Sequence, residues 1–124
     1  MIQIKNMFDA AEEGDGERIW VEPLGLTLDL REWCKIDHVL SHLGPSMQLW
    51  EWYESHPQGY EYFRAKYHES LNKSPYRSGM IQLVAAARRS NFTLVHQSED
   101  AERNTATALY EYLSELEAYA PPEV

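Results

Sequence analysis

A single α/β domain, with a small mainly parallel sheet of three or four strands packed by about four or five helices, is the fold class this sequence predicts. Three observations lead to it. Short stretches with a period of two, at Met1–Phe8, Arg18–Glu22 and Phe92–His96, alternate with longer stretches of helical period, and strands separated by helices favour parallel pairing. The 124 residues suit one domain, since a chain of this length buries roughly two-thirds of the surface it exposes when unfolded. Composition is ordinary for a globular chain, with 44% hydrophobic and 25% charged residues, which disfavours disorder and fibrous classes. The domain is expected over residues 1–120, with 121–124 as a frayed tail.

Each element has a local reason. In MIQIKNMF, Ile2 and Ile4 alternate with Gln3 and Lys5, which reads as a first strand ending before Asp9. Gly14 and Gly16 around Asp15 supply turn chemistry, and a second strand runs Arg18 to Glu22 until Pro23 stops it. Leu28–Cys34 is a weak helical pattern that Asp29 is placed to cap, and KIDHVLS after it reads either as a short extended segment or as more helix. Ser46 caps a helix that carries Leu49, Trp52 and Tyr53 and breaks at His56-Pro57, and Pro57 opens the next. There Tyr60, Phe63, Tyr67 and Leu71 form one core-facing stripe. After the loop NKSPYRSG, Ser78 is expected to cap a helix with Met80, Leu83, Val84 and Ala87, closed by Arg88 and Arg89 at its negative end. A third strand covers Phe92–His96, and a last helix starts near Ala101 with Ala106, Leu109, Leu113 and Leu116 on one stripe.

Charge and motifs exclude several function classes. Twenty acidic against eleven basic side chains give a net charge of -9, which repels nucleic acid and anionic membrane surfaces. No apolar run approaches the roughly 20 residues of a membrane span. The lone Cys34 has no internal disulfide partner, and no signal-peptide pattern opens the sequence, so cytoplasmic residence is expected. Gly14-Asp15-Gly16 precedes a strand instead of following one, so it is not a dinucleotide fingerprint, and no cofactor is named by any motif. His38 and His42 have the spacing of two ligands on one helical face, but no third ligand is marked and no metal site is assigned. Neither Cys34 nor Ser46 stands in a nucleophile motif, and no catalytic residue is assigned.

What remains is the carboxyl end of a parallel sheet, where ligands of such folds tend to sit. Asp9, Glu22 and the knot from His96 to Asn104 fall there if the three strands are neighbours, and carboxylates beside an imidazole suit acid–base work or a cation. A structural reading competes: Asp100 as helix N-cap, Glu102 complementing the helix dipole, and Asn104 exposed. Trp50, Trp52 and Tyr53 cannot all share one helix face, so Trp50 is a candidate partner contact.

Taken together, Phe8-Asp9, Gly14-Asp15-Gly16 with Arg18, Leu43-Gly44-Pro45-Ser46, LWEWYESHPQGYEYFRAKYHESL and TLVHQSEDAERN resemble the YeaO-like family of small bacterial proteins, domain of unknown function 488. The resemblance implies an α/β fold and no established activity, substrate or cofactor. It also marks departures. Where the family carries an arginine-bearing RLWPRG segment after its second strand, this chain has Pro23 and Thr27 at the arginine positions. Ser41-His42 replaces a frequent Lys-Asp, and Asn104-Thr105 a common Asn-His. Asp9, Arg18, Glu22, His96, Asp100, Glu102 and Asn104 are therefore the candidate ligand-binding set for a small molecule or cation. The alternative is a non-catalytic interaction module that uses the aromatic helix at Trp50 and the acidic surface to bind a protein partner, with the oligomeric state open in either case.

Overall fold

The computed structural model describes residues 1–123. Four strands, β1 (Ile2–Asn6), β2 (Glu17–Trp20), β3 (His38–Val39) and β4 (Phe92–His96), form one parallel sheet in the order β1-β4-β2-β3. Five helices, α1 (Leu28–Trp33), α2 (Met47–Ser55), α3 (Tyr60–Asn72), α4 (Arg77–Ala86) and α5 (Thr105–Leu116), complete the predicted α/β class. The ambiguous KIDHVLS stretch is the fourth strand: Ile19 pairs with His38 and Trp20 with Val39. His38 and His42 consequently do not share a helix face. His38 lies 3.3 Å from Glu17, and His42 packs edge-on against Tyr76.

Alternation along each strand sorts the core into two unequal layers. Ile2, Ile4, Ile19 and Leu94 face a large core built with α2 to α5, into which α3 sends its whole predicted stripe of Tyr60, Phe63, Tyr67 and Leu71. Each such side chain contributes roughly 1.5–3 kcal/mol by leaving water. Trp20 and Val95 face the other way, onto a small core with Met7, Cys34 and Ile36, covered by α1, the segments that flank it and the β1–β2 connection. This connection depends on Gly16: its φ is +62°, and a Cβ there would stand 1.8 Å from the Asn91 carbonyl oxygen.

Helix starts correct several local expectations. Thr27, not Asp29, caps α1 by accepting from Leu30 N–H. Ser46 caps α2 as predicted. Pro57 does not open α3, which begins at Tyr60 after Gly59. Ser78 lies inside α4, and the turn before that helix is closed by Ser74 Oγ accepting from Tyr76 N–H. α5 starts at Thr105, so its N-cap is Asn104 and not Asp100. β2 spans Glu17–Trp20, ending two residues before the predicted Glu22. At the C-terminal end, Arg88 pairs with Glu117 at 2.7 Å and Arg89 with Glu123 at 2.8 Å; Val124 of the expected frayed tail lies outside the described residues.

Candidate functional site

The carboxyl ends of β1, β4 and β2 lie side by side, as the site prediction requires. Just past β2, Glu22 is buried, with 3% of its surface exposed. Its backbone is held from two sides, the carbonyl accepting from Trp20 Nε1 at 2.9 Å and from Ser41 Oγ at 3.2 Å. Its carboxylate accepts from Gln97 Nε2 at 3.1 Å. Burial pushes the carboxyl up to about 7, reinforced by the nearby Glu54 charge, while Thr105, Gln97 and the Trp50 indole beside it pull the other way. Trp50 Nε1 is itself buried and makes no direct hydrogen bond with any described residue.

The segment that departs from the family pattern closes over this carboxyl. Gly25 takes φ +101° and presses against Gln97, whose Nε2 would meet an added Cβ at 2.4 Å. Thr27, at one of the family's arginine positions, is occupied as the α1 cap. A cleft of about 300 Å³ is lined by the segment itself, from Pro23 to Thr27, together with Trp20, Glu22, Leu28 and Val39 among others.

His96 is buried at the end of β4, and burial lowers its imidazole below the usual value although Asp9 and Asp100 favour the charged form. Its Nδ1 accepts from Ser98 N–H at 3.2 Å. Asp9 is exposed. Asp100 Oδ1 accepts from the N–H groups of Glu102 and Arg103, and Oδ2 from Arg103 Nε, holding the carboxyl below its ordinary range. Glu102 points into solvent. Asn104, expected at the surface in the competing reading, is 1% exposed. Its Oδ1 accepts from Thr107 N–H at 2.8 Å, and its Nδ2 donates to the Asp100 carbonyl at 2.9 Å. The structure therefore brings His96 near Asp9 and Asp100, and Glu22 near Thr105, as two separate groupings.

Arg18 belongs to neither. Its guanidinium donates to Asp15 Oδ2 at 2.8 Å and to the carbonyls of Cys34, Met7 and Asp9 at 3.1, 3.1 and 3.3 Å, within the small core. Asp15 also takes Lys5 Nζ at 2.8 Å. Burial alone would raise the Asp15 carboxyl, but the bonds from Lys5, Glu12 N–H and Arg18 win and hold it low. Asp15 reads in the sequence as a turn residue, and with Arg18 on β2 there is no helical spacing to signal its deeper role. Gln97 and Thr105 carry no signal either. Cys34 is buried, and burial pushes its thiol up against the opposing Arg18 charge, which leaves little thiolate. Among the described residues, no group of three or more His, Cys, Asp or Glu is placed to hold a metal ion, and no helix is long and apolar enough to cross a membrane.

Two relatives of this chain are described only as uncharacterised proteins. It is similar to Rv3073c of Mycobacterium tuberculosis, 26% identical over 119 residues, covering 91% of this chain and 93% of that protein. It is likewise similar to YeaO of Escherichia coli, 29% identical over 121 residues, covering 93% and 98%. No solved structure matches it. The family profile described as the inactive DUF488-N3 subclade matches residues 1–121, nearly the whole length. The chain belongs to that inactive subclade of the DUF488 family, as a divergent relative of YeaO.

Proposed function

We propose that this protein is a non-catalytic binding module that engages a protein partner through the thinly covered second face of its sheet, around α1. The observation that carries this reading is the exposure of that helix. Leu28 and Trp33 are 85% and 81% exposed, and α1 contains no buried residue. Phe8, 62% exposed, shares a cleft with Trp33, Ala10 and Ala11. Large side chains held in water at such levels mark contact surfaces when they cluster, as Phe8 and Trp33 do, while Leu28 borders a separate cleft at the start of the helix. Trp50, the anchor expected from the sequence, is half-buried and its indole nitrogen is enclosed, so Trp33 takes that role in the proposal. Asp9, Asp29 and Glu32 border the clefts at Trp33 against one cation there among the described residues, Lys35, on a chain of net charge -9, and the partner that suits it is a basic, amphipathic segment.

The test is an NMR titration with a synthetic amphipathic helix of leucine and lysine. Saturable shifts confined to residues 7–11 and 28–35, and lost in Trp33→Ser, are expected; shifts scattered over the acidic surface, or none, overturn the reading.

One observation favours a second reading, the small-molecule or cation site at the strand ends. Glu22, whose carboxyl burial raises to about 7, sits beside the enclosed Trp50 Nε1. Thermal shifts against divalent metals, phosphates, nucleotides and common metabolites separate the two, because a ligand at about a hundredfold its dissociation constant adds roughly 2.7 kcal/mol of stability. A hit abolished by Glu22→Gln favours the strand-end site, and a silent panel beside a positive peptide titration favours the module.

A further inference from the structure

One long edge of the sheet is open. Phe92 N–H donates to the Met1 carbonyl and Met7 N–H to the His96 carbonyl. In a parallel ladder this phase turns both backbone groups of Gln3 and Lys5 toward β4. The N–H and C=O groups of Ile2 and Ile4 therefore point away from the sheet, and no described residue pairs with them. The usual guards against edge pairing are missing. β1 has no proline and keeps an unbroken register with β4, and its one lysine is drawn onto the sheet face by Asp15. On the helical side, a groove of about 290 Å³ lined by Ile2, Tyr110 and Leu113 among others opens beside this edge.

We propose that β1 pairs antiparallel with β1 of a second copy about a twofold axis at Ile4, joining two four-stranded sheets into one. In this register Ile4 faces the partner's Ile4 and exchanges both backbone bonds with it, Ile2 faces the partner's Asn6, and Gln3 faces the partner's Lys5. The edge is self-complementary for three reasons. An apolar pair meets on the axis, no acidic residue lies in β1, and the charges bordering it have partners within the chain, Lys5 in Asp15, Arg88 in Glu117, and the Met1 ammonium in the Ala87 and Ser90 carbonyls. A molecule of net charge -9 thus meets its copy along a strand that carries no acidic side chain. The association leaves the α1 face free, so it stands or falls independently of the proposed module.

Sedimentation velocity together with amide exchange tests it. A dimer is expected at about 100 µM that dissociates on dilution, with the Ile4 amide protected only in the concentrated sample. Ile2→Pro removes an outward donor and no bond to β4, so it is expected to stay folded and to weaken association at least about tenfold. A wild-type protein that stays monomeric at about 100 µM, or a dimer whose Ile4 amide exchanges as in the dilute monomer, overturns the proposal. If Ile2→Pro fails to fold, the wild-type exchange comparison decides the matter alone.

Discussion

Glu22 and His96, buried at the same end of the sheet, answer pH in opposite directions. In the unfolded chain Glu22 ionises near 4.5, but in the native protein only near 7. Between those values the native state keeps a proton that the unfolded state releases, so stability falls as pH rises through that window and is level above it. The loss is on the order of 3 kcal/mol. His96 has a lowered native pKa, so the unfolded chain takes the proton first and stability falls as pH drops below 6.5. Glu22→Gln keeps an acceptor for Gln97 without the charge. It should be more stable than wild type by about 1–3 kcal/mol at pH 8 and no more stable near pH 4.5, read by urea unfolding. An equal difference at both pH values would show that ionisation of Glu22 is not the cause. Trp33→Ser should change stability by less than about 0.5 kcal/mol, because that ring buries so little. A larger loss in the same assay would mean that the ring is packed.

The start of α5 is the element on which the strand-end region depends. Asn104 satisfies one of the helix's free N–H groups and ties the cap to the preceding Asp100 turn. Its replacement by alanine also leaves buried groups unpaired. Asn104→Ala should therefore cost about 2 kcal/mol, and Asp100→Ala, on an exposed turn, less than half of that. Denaturant midpoints for the two variants rank them, and an equal or reversed ranking would return the cap to Asp100. The sequence points to Asp100 as the cap and to Asn104 as exposed, the wrong one of two good caps that stand four apart, one helical turn. What separates them is where Ala106, Leu109 and Leu113 must stand to reach the core. The shortest element is the least legible for the same reason: α1 matches the weak pattern at Leu28–Cys34, but β3 is two residues long, too few for a period to declare itself.

Across the whole molecule, the Lys5–Asp15–Arg18 group joins β1, the β1–β2 connection and, through the Cys34 carbonyl, the end of α1. It anchors the side of the sheet that has the smaller apolar core. Arg18→Met would leave the buried Asp15 charge with only Lys5 and the Glu12 N–H, and three carbonyls without their donor. A loss of about 3–5 kcal/mol is expected, with the small core opening first. Amide exchange would show this as deprotection of residues 30–36 while α3 and α5 stay closed. A variant with near wild-type stability would mean that this group is dispensable to the second layer.

The sequence by itself determined the α/β class, the three longer strands, the aromatic stripe of α3 and the family, because each is written in local periodicity or in runs of residues that keep their order. Only the tertiary structure decided that β4 lies between β1 and β2, that Arg18 is spent inside a small core, and that Gln97 and Gly25 close over Glu22. It alone also left Trp33 in water while enclosing the Trp50 nitrogen. These outcomes depend on contacts between residues far apart in the chain, where burial and pairing are set by which surfaces meet and not by any one segment's own pattern.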